Sequence, residues 1–423
     1  MTTPVGRGLG ASRDVLSNGA VVSVKSARTI PAVTIQAAVR AGSVYEPDEY
    51  LGLSHCLSRV IDRGTERRSA EEIAEVLDYR GVALTINANR HVVVLGCTCL
   101  TEDFERILEL VGEIAMRPAF PDIEIAKRRK EILTSIRQDE DSPAVMAMQG
   151  LFALLYPDGH PYGRPAKGRP ETVERIDRRI LQGFHHARFA PSKLSLVIVG
   201  DVDCGRAVET ANRVLGGWQK PSPPEPELPH PPARQSREER VITMMNKAQT
   251  DIAYGFTTIT RSDPRFYAYT VMNNALGQYG IGGRLGDSIR ERQGMAYYVN
   301  SSVDANVVEG PLVVRAGVNP ANVQRAVTSI DAEMRRMAAE GLSAKELADC
   351  KQFIIGSIPR MLETNSAIAT FLQTAEFFGL GLDHDLRLPG LIDAVTLEEV
   401  HAAARATLDP FRAALVIAGP YRE

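Results

Sequence analysis

No stretch of this 423-residue chain reaches the roughly 18 apolar residues that a membrane span requires. The opening residues, MTTPVGRGLGASRDVLSNG, contain no apolar run of signal-peptide length, so the expected compartment is the cytoplasm, or the periplasm if the N-terminus is processed. Charge of one sign is also scarce. A formal net charge of -3 leaves no polybasic footprint for nucleic acid or an anionic membrane surface, and neither is expected as a partner. Cysteine is sparse and odd in number. Cys56, Cys97, Cys99, Cys204 and Cys350 show no Cys-x-x-Cys spacing, so reduced, unpaired thiols are expected. No Gly-x-Gly-x-x-Gly follows a strand, and a nucleotide-binding fold is unsupported.

Proline is unevenly distributed. Lys220 to Arg237, KPSPPEPELPHPPARQSR, removes too many backbone donors to hold a helix or a central strand and reads as a semi-rigid linker. It separates residues 1–219 from residues 238–423, and the two parts end alike. Ala187-Arg-Phe-Ala-Pro191 leads to Leu196-Val-Ile-Val-Gly200, and Ala406-Thr-Leu-Asp-Pro410 leads to Leu415-Val-Ile-Ala-Gly419. A shared offset of 219 residues marks an internal repeat and predicts two copies of one domain.

Within each copy, strand and helix signals are mixed. Ala20 to Val24, Ala32 to Val39 and Val92 to Cys99 have strand patterns; Ser69 to Glu72 and Ser343 to Glu346 are capping boxes that open helices. Thr101 is expected to cap a helix through Ile114, and a further helix starts at Asp122. The fold class is α+β: two homologous sandwich domains, each a mostly antiparallel sheet with helices on one face.

The segment Ala41 to Thr65, AGSVYEPDEYLGLSHCLSRVIDRGT, resembles the zinc-binding stretch of the pitrilysin family, which includes insulinase and the mitochondrial processing peptidases. There the pattern is His-x-x-Glu-His. Such a site needs two neutral imidazoles one helical turn apart, a third carboxylate ligand and a Glu that takes a proton from zinc-bound water. Only the first His stands here, as His55. Ser58 holds the base position and Arg59 the second-ligand position; Ser135 falls at the third, on the helix carrying Glu131 and Glu140, which the spacing sets off its face. A guanidinium about 4 Å from a dication would cost roughly 8 kcal/mol before relaxation, so no zinc is expected in this chain. His160, in a loop, and the adjacent His185 and His186 supply no alternative site.

In the second part, Gly277 to Tyr298, GQYGIGGRLGDSIRERQGMAYY, is similar to the family's glycine-rich loop and its Arg/Tyr pair. From the residues alone, Arg290 makes a surface ion pair and Tyr297 begins a buried strand. The resemblance implies otherwise: Arg290 and Tyr297 would bind substrate backbone and stabilise the tetrahedral intermediate beside a zinc ion, and Gly280, Gly282 and Gly283 would form a flexible substrate-binding loop. The resemblance therefore implies a processing-peptidase-like fold and a chain working as the zinc-less half of a heterodimer. Its partner would be a homologous subunit that carries the zinc, and its substrate a peptide.

Overall fold

A computed structural model describes residues 8–157, 159–278 and 282–422. The chain divides into two compact units. The first comprises the chain up to Ile136, Pro165–Glu227 and Ile358–Leu386; the second comprises Arg137–Arg164, Leu228–Ser357 and the chain from Arg387. Neither unit is contiguous, which corrects the expected division into residues 1–219 and 238–423. The reason is an exchange of one helix in each direction.

The first unit is built on strands β1 (Ser12–Val15), β2 (Val21–Ser26), β3 (Ala32–Val39), β4 (Thr85–Ala88), β5 (Val93–Leu100) and β6 (Leu194–Gly200). They form one sheet in the order β1-β2-β6-β3-β5-β4, antiparallel except for the β2–β6 pair. The second unit holds β7 (Glu238–Thr243), β8 (Thr250–Thr257), β9 (Ala296–Val303), β10 (Pro311–Val318) and β11 (Ala414–Gly419). Their order is β7-β11-β8-β10-β9, with only β7–β11 parallel. The repeat read from the sequence is thus a repeat of topology. The helix Arg178–Arg188 before β6 corresponds to the helix Leu397–Thr407 before β11.

Each sheet is buried on both faces near its centre, and the strands show it. In β6, Leu196 and Ile198 join the core formed with the unit's own helices, while Val197 and Val199 pack against Ile368, Ala369 and Leu372 of the helix Asn365–Phe377. In the second unit, the helix Pro143–Leu155 lies on β8 and β11, and Gly150 lets it approach: an added Cβ would come 3.0 Å from a Val416 methyl. Burial on both faces is why Leu-Val-Ile-Val and Leu-Val-Ile-Ala are unbroken apolar runs and not alternating ones. The expectation of helices on one face alone is refined accordingly.

Both capping boxes form, at Ser69 with Glu72 and at Ser343 with Glu346. Thr101 does not cap a helix; it opens a 3₁₀ turn, and the α-helix begins at Phe104. Residues 219–235 carry no regular structure, as the prolines dictate. Among the described residues, no helix is long and apolar enough to cross a membrane.

Candidate functional site

In the first unit, the helix Leu53–Val60 lies beside the terminal strand β4. Its N-terminus is held by Glu46, a buried carboxylate that accepts hydrogen bonds from the backbone N–H of Gly52 at 2.8 Å and of Ser54 at 2.7 Å. Carboxylates favour this position because they satisfy the free N–H groups and the positive end of the helix dipole. Gly52, at φ 89°, is required there, since a Cβ would fall 2.4 Å from the Lys167 carbonyl oxygen.

Leu53, Cys56, Leu57 and Val60 anchor this helix in the core. His55 is half-buried, and Arg59, one turn further, is exposed. Ser58 is buried, and its hydroxyl donates to the His55 carbonyl at 2.7 Å, so it is occupied within its own helix. Ser135, on the helix Asp122–Glu140, accepts a hydrogen bond from Lys167 Nζ at 2.7 Å. Glu131 is one helical turn before Ser135 and shares its side, which corrects the off-face placement. Its carboxyl is held below the usual range by the two-pronged Arg128 guanidinium, with Arg59 adding to the effect.

These residues do not make a zinc donor set. One imidazole is present; the guanidinium of Arg59 has no lone pair to give, and the Ser135 hydroxyl is no carboxylate and is held by Lys167. Among the described residues, no three His, Cys, Asp or Glu side chains are grouped so as to hold a metal ion. His185 is buried with Nε2 2.8 Å from the Ala115 carbonyl, and His160 is buried with Nε2 2.8 Å from the Pro229 carbonyl. Both serve packing.

In the second unit, Arg290 stands on the π-helix Gly286–Glu291, whose Ile289, with the preceding Leu285, is fixed in the core. The guanidinium is exposed, and Glu291 is 3.7 Å away. Gly294, at φ 60°, then turns the chain, and the Met295 N–H returns to the Ile289 carbonyl at 3.1 Å. β9 therefore starts beside the Arg290 helix. Tyr297 is 62% exposed, against the expectation of a buried start to the strand. Two guanidinium or phenol donors displayed on anchored backbone suit binding of a peptide carbonyl or an oxyanion.

The glycines have separate roles. Gly283 is buried against Gly277, and a Cβ on it would come 2.8 Å from the Gly277 Cα, so the close approach leaves no room for a side chain. Gly282 is exposed and lines a cavity of about 460 Å³ with Arg284, Glu346 and Phe353. Gly280 lies outside the described residues. Lys167 and the surroundings of Tyr297 were not legible in the sequence, because each acts through a contact between distant segments; Glu46 reaches only to Gly52 and Ser54, but no motif marked it.

The profile of the family described as insulinase (peptidase family M16) matches residues 21–158, and that of the peptidase M16 inactive domain matches residues 175–353. An uncharacterized zinc protease of Mycobacterium leprae is 28% identical over 98% of this chain and 93% of its own length. The uncharacterized zinc protease YmxG of Bacillus subtilis is 24% identical over 93% of this chain and 94% of its own. Among solved structures, a peptidase M16 inactive domain from Pseudomonas fluorescens superposes with a TM-score of 0.90 at 23% identity, covering 97% of this chain and 98% of that one. A protease from Helicobacter pylori superposes with the same TM-score of 0.90 at 17% identity, covering 98% of this chain and 100% of its own. At these identities the superpositions show the shared fold.

Proposed function

The chain belongs to the insulinase, or M16, peptidase family, and from that premise we propose that it is the zinc-less subunit of a two-chain endopeptidase. A homologous partner would carry the zinc and the general base; this chain would supply Arg290 and Tyr297 to the substrate and the tetrahedral intermediate. The observation that carries the reading is a contrast within one chain. Ser58 and Ser135 offer only hydroxyls already held by hydrogen bonds and Arg59 a guanidinium without a lone pair, so none supplies the imidazole, carboxylate or base the site needs, while Arg290 and Tyr297 remain exposed on well-anchored backbone.

An extended peptide would bind by adding to a sheet edge, which reads the main chain and tolerates varied side chains. Both sheets end in a strand beside the relevant helix: β4 beside that of His55, β9 beside that of Arg290. The five cysteines are unpaired, which fits a reducing cytoplasm.

Native mass spectrometry with metal analysis, on protein purified from its own source, tests the reading. A one-to-one complex with a zinc-loaded chain of similar size is expected; a metal-free homodimer would overturn it. Within that complex, Arg290→Ala should lower turnover by about 10²–10³. Unchanged turnover would favour a proteolytically inactive scaffold or peptide-binding protein of the same fold.

A further inference from the structure

The start of β9 departs from regular pairing. Along β10, Val318 pairs with Ala296 and Gly317 with Tyr298, so Tyr297 is an extra residue without a partner, a β-bulge. The consequence appears in the burial. Ala296 and Val299 both reach the core although they are three residues apart, because the bulge absorbs one step of the alternation. Tyr297 and Tyr298 are therefore left together, away from that core.

Tyr298 then extends across the sheet. Gly317 pairs with Tyr298 on one side and with Asp251 of β8 on the other, so the three form a row. With no side chain at the middle position, the Tyr298 hydroxyl passes over β10 and donates to Asp251. Asp251 is buried and receives Gln249 Nε2 at 3.1 Å on each oxygen. The gap at Gly317 is filled: a Cβ there would lie 2.4 Å from Tyr298 Cε1 and 2.4 Å from Gln249 Nε2. Burial, followed by the bond to Asp251, raises the Tyr298 pKa, so the phenol remains a donor.

We propose that Tyr298, Asp251 and Gly317 are positioning residues for Tyr297, a latch that locks the bulge on an otherwise open edge strand and so fixes where the Tyr297 phenol stands. This rests on the proposed role of Tyr297. A regular strand would send adjacent tyrosines to opposite faces, and a terminal strand with one free edge has no neighbour to hold a bulge in register. The cross-strand bond supplies that hold from β8, two strands away.

The test is a double-mutant cycle on the purified two-chain complex, with fluorescein-labelled casein as probe. Tyr298→Phe and Asp251→Asn are each expected to lower kcat about tenfold with KM changed less than twofold, and to speed amide exchange at the start of β9. In a Tyr297→Phe background, Tyr298→Phe should cause no further loss. A full additional loss there, or wild-type kcat in both Tyr298→Phe and Asp251→Asn, would overturn the latch. A Tyr297→Phe complex with wild-type kcat would instead sink the role of Tyr297 itself. Asp251→Asn keeps the side-chain size, so if Tyr298→Phe fails to fold the cycle can be run through Asp251.

Discussion

The hydrogen bond from Lys167 to Ser135 sets the terms for rebuilding a metal site. Ser58→Glu, Arg59→His and Ser135→Glu restore the missing donors, but a carboxylate at 135 would meet the Lys167 ammonium first. The triple variant is therefore expected to take up zinc weakly, and the addition of Lys167→Ala to tighten uptake at least tenfold in a calorimetric titration. Equal affinity with and without Lys167 would refute that competition. His185 offers a test of a different kind. Burial pushes its pKa down to about 4, with Nε2 placed at the Ala115 carbonyl. The folded state thus excludes a proton that the unfolded chain accepts near pH 6.5. Stability should fall as pH drops through that value and level off near pH 4, losing roughly 3 kcal/mol. Denaturant midpoints measured near pH 7 and about pH 4.5 should show this loss, and His185→Gln should reduce it.

At the scale of elements, the strands were the most legible feature, because β-branched residues and the unbroken run Leu196 to Val199 report burial directly. Helix starts were legible where a capping box exists and misplaced at Thr101, where a 3₁₀ turn precedes the helix. The resemblance put His55, Ser58 and Arg59 on one helix, and they stand on the helix Leu53–Val60. No pattern marked the bulge at Tyr297, since the residues that Tyr298 meets beside it stand on two other strands, Gly317 on one and Asp251 on the next. The exchanged helices are the clearest case of tertiary contact deciding an element's role. Leu372 is 1% exposed and packs with Val197 and Val199, which lie far from it in the chain. Leu372→Ala is expected to cost about 2–5 kcal/mol, and amide exchange should speed up in β6 before it does in β11. Faster exchange confined to β11 would show that the helix supports the other sheet.

For the whole molecule, the repeat and the proline-rich linker suggested two separable domains. The linker is present, yet each half lends a helix to the other's sheet, and that reciprocity leaves no mark in composition or periodicity. Residues 1–219 expressed alone should expose the Val197 and Val199 face and fail to give a dispersed amide spectrum, whereas co-expression with residues 238–423 should recover it. A well-dispersed spectrum from the first half alone would contradict the dependence. The exchange also imposes a timetable on synthesis. Once β6 has left the ribosome, its open face waits for the helix ending at Phe377, about 177 residues later, or roughly 10–35 seconds at ordinary elongation rates. During that interval the nascent chain carries an uncovered apolar sheet, so this protein should depend on chaperones that hold growing chains more than on those that act after release.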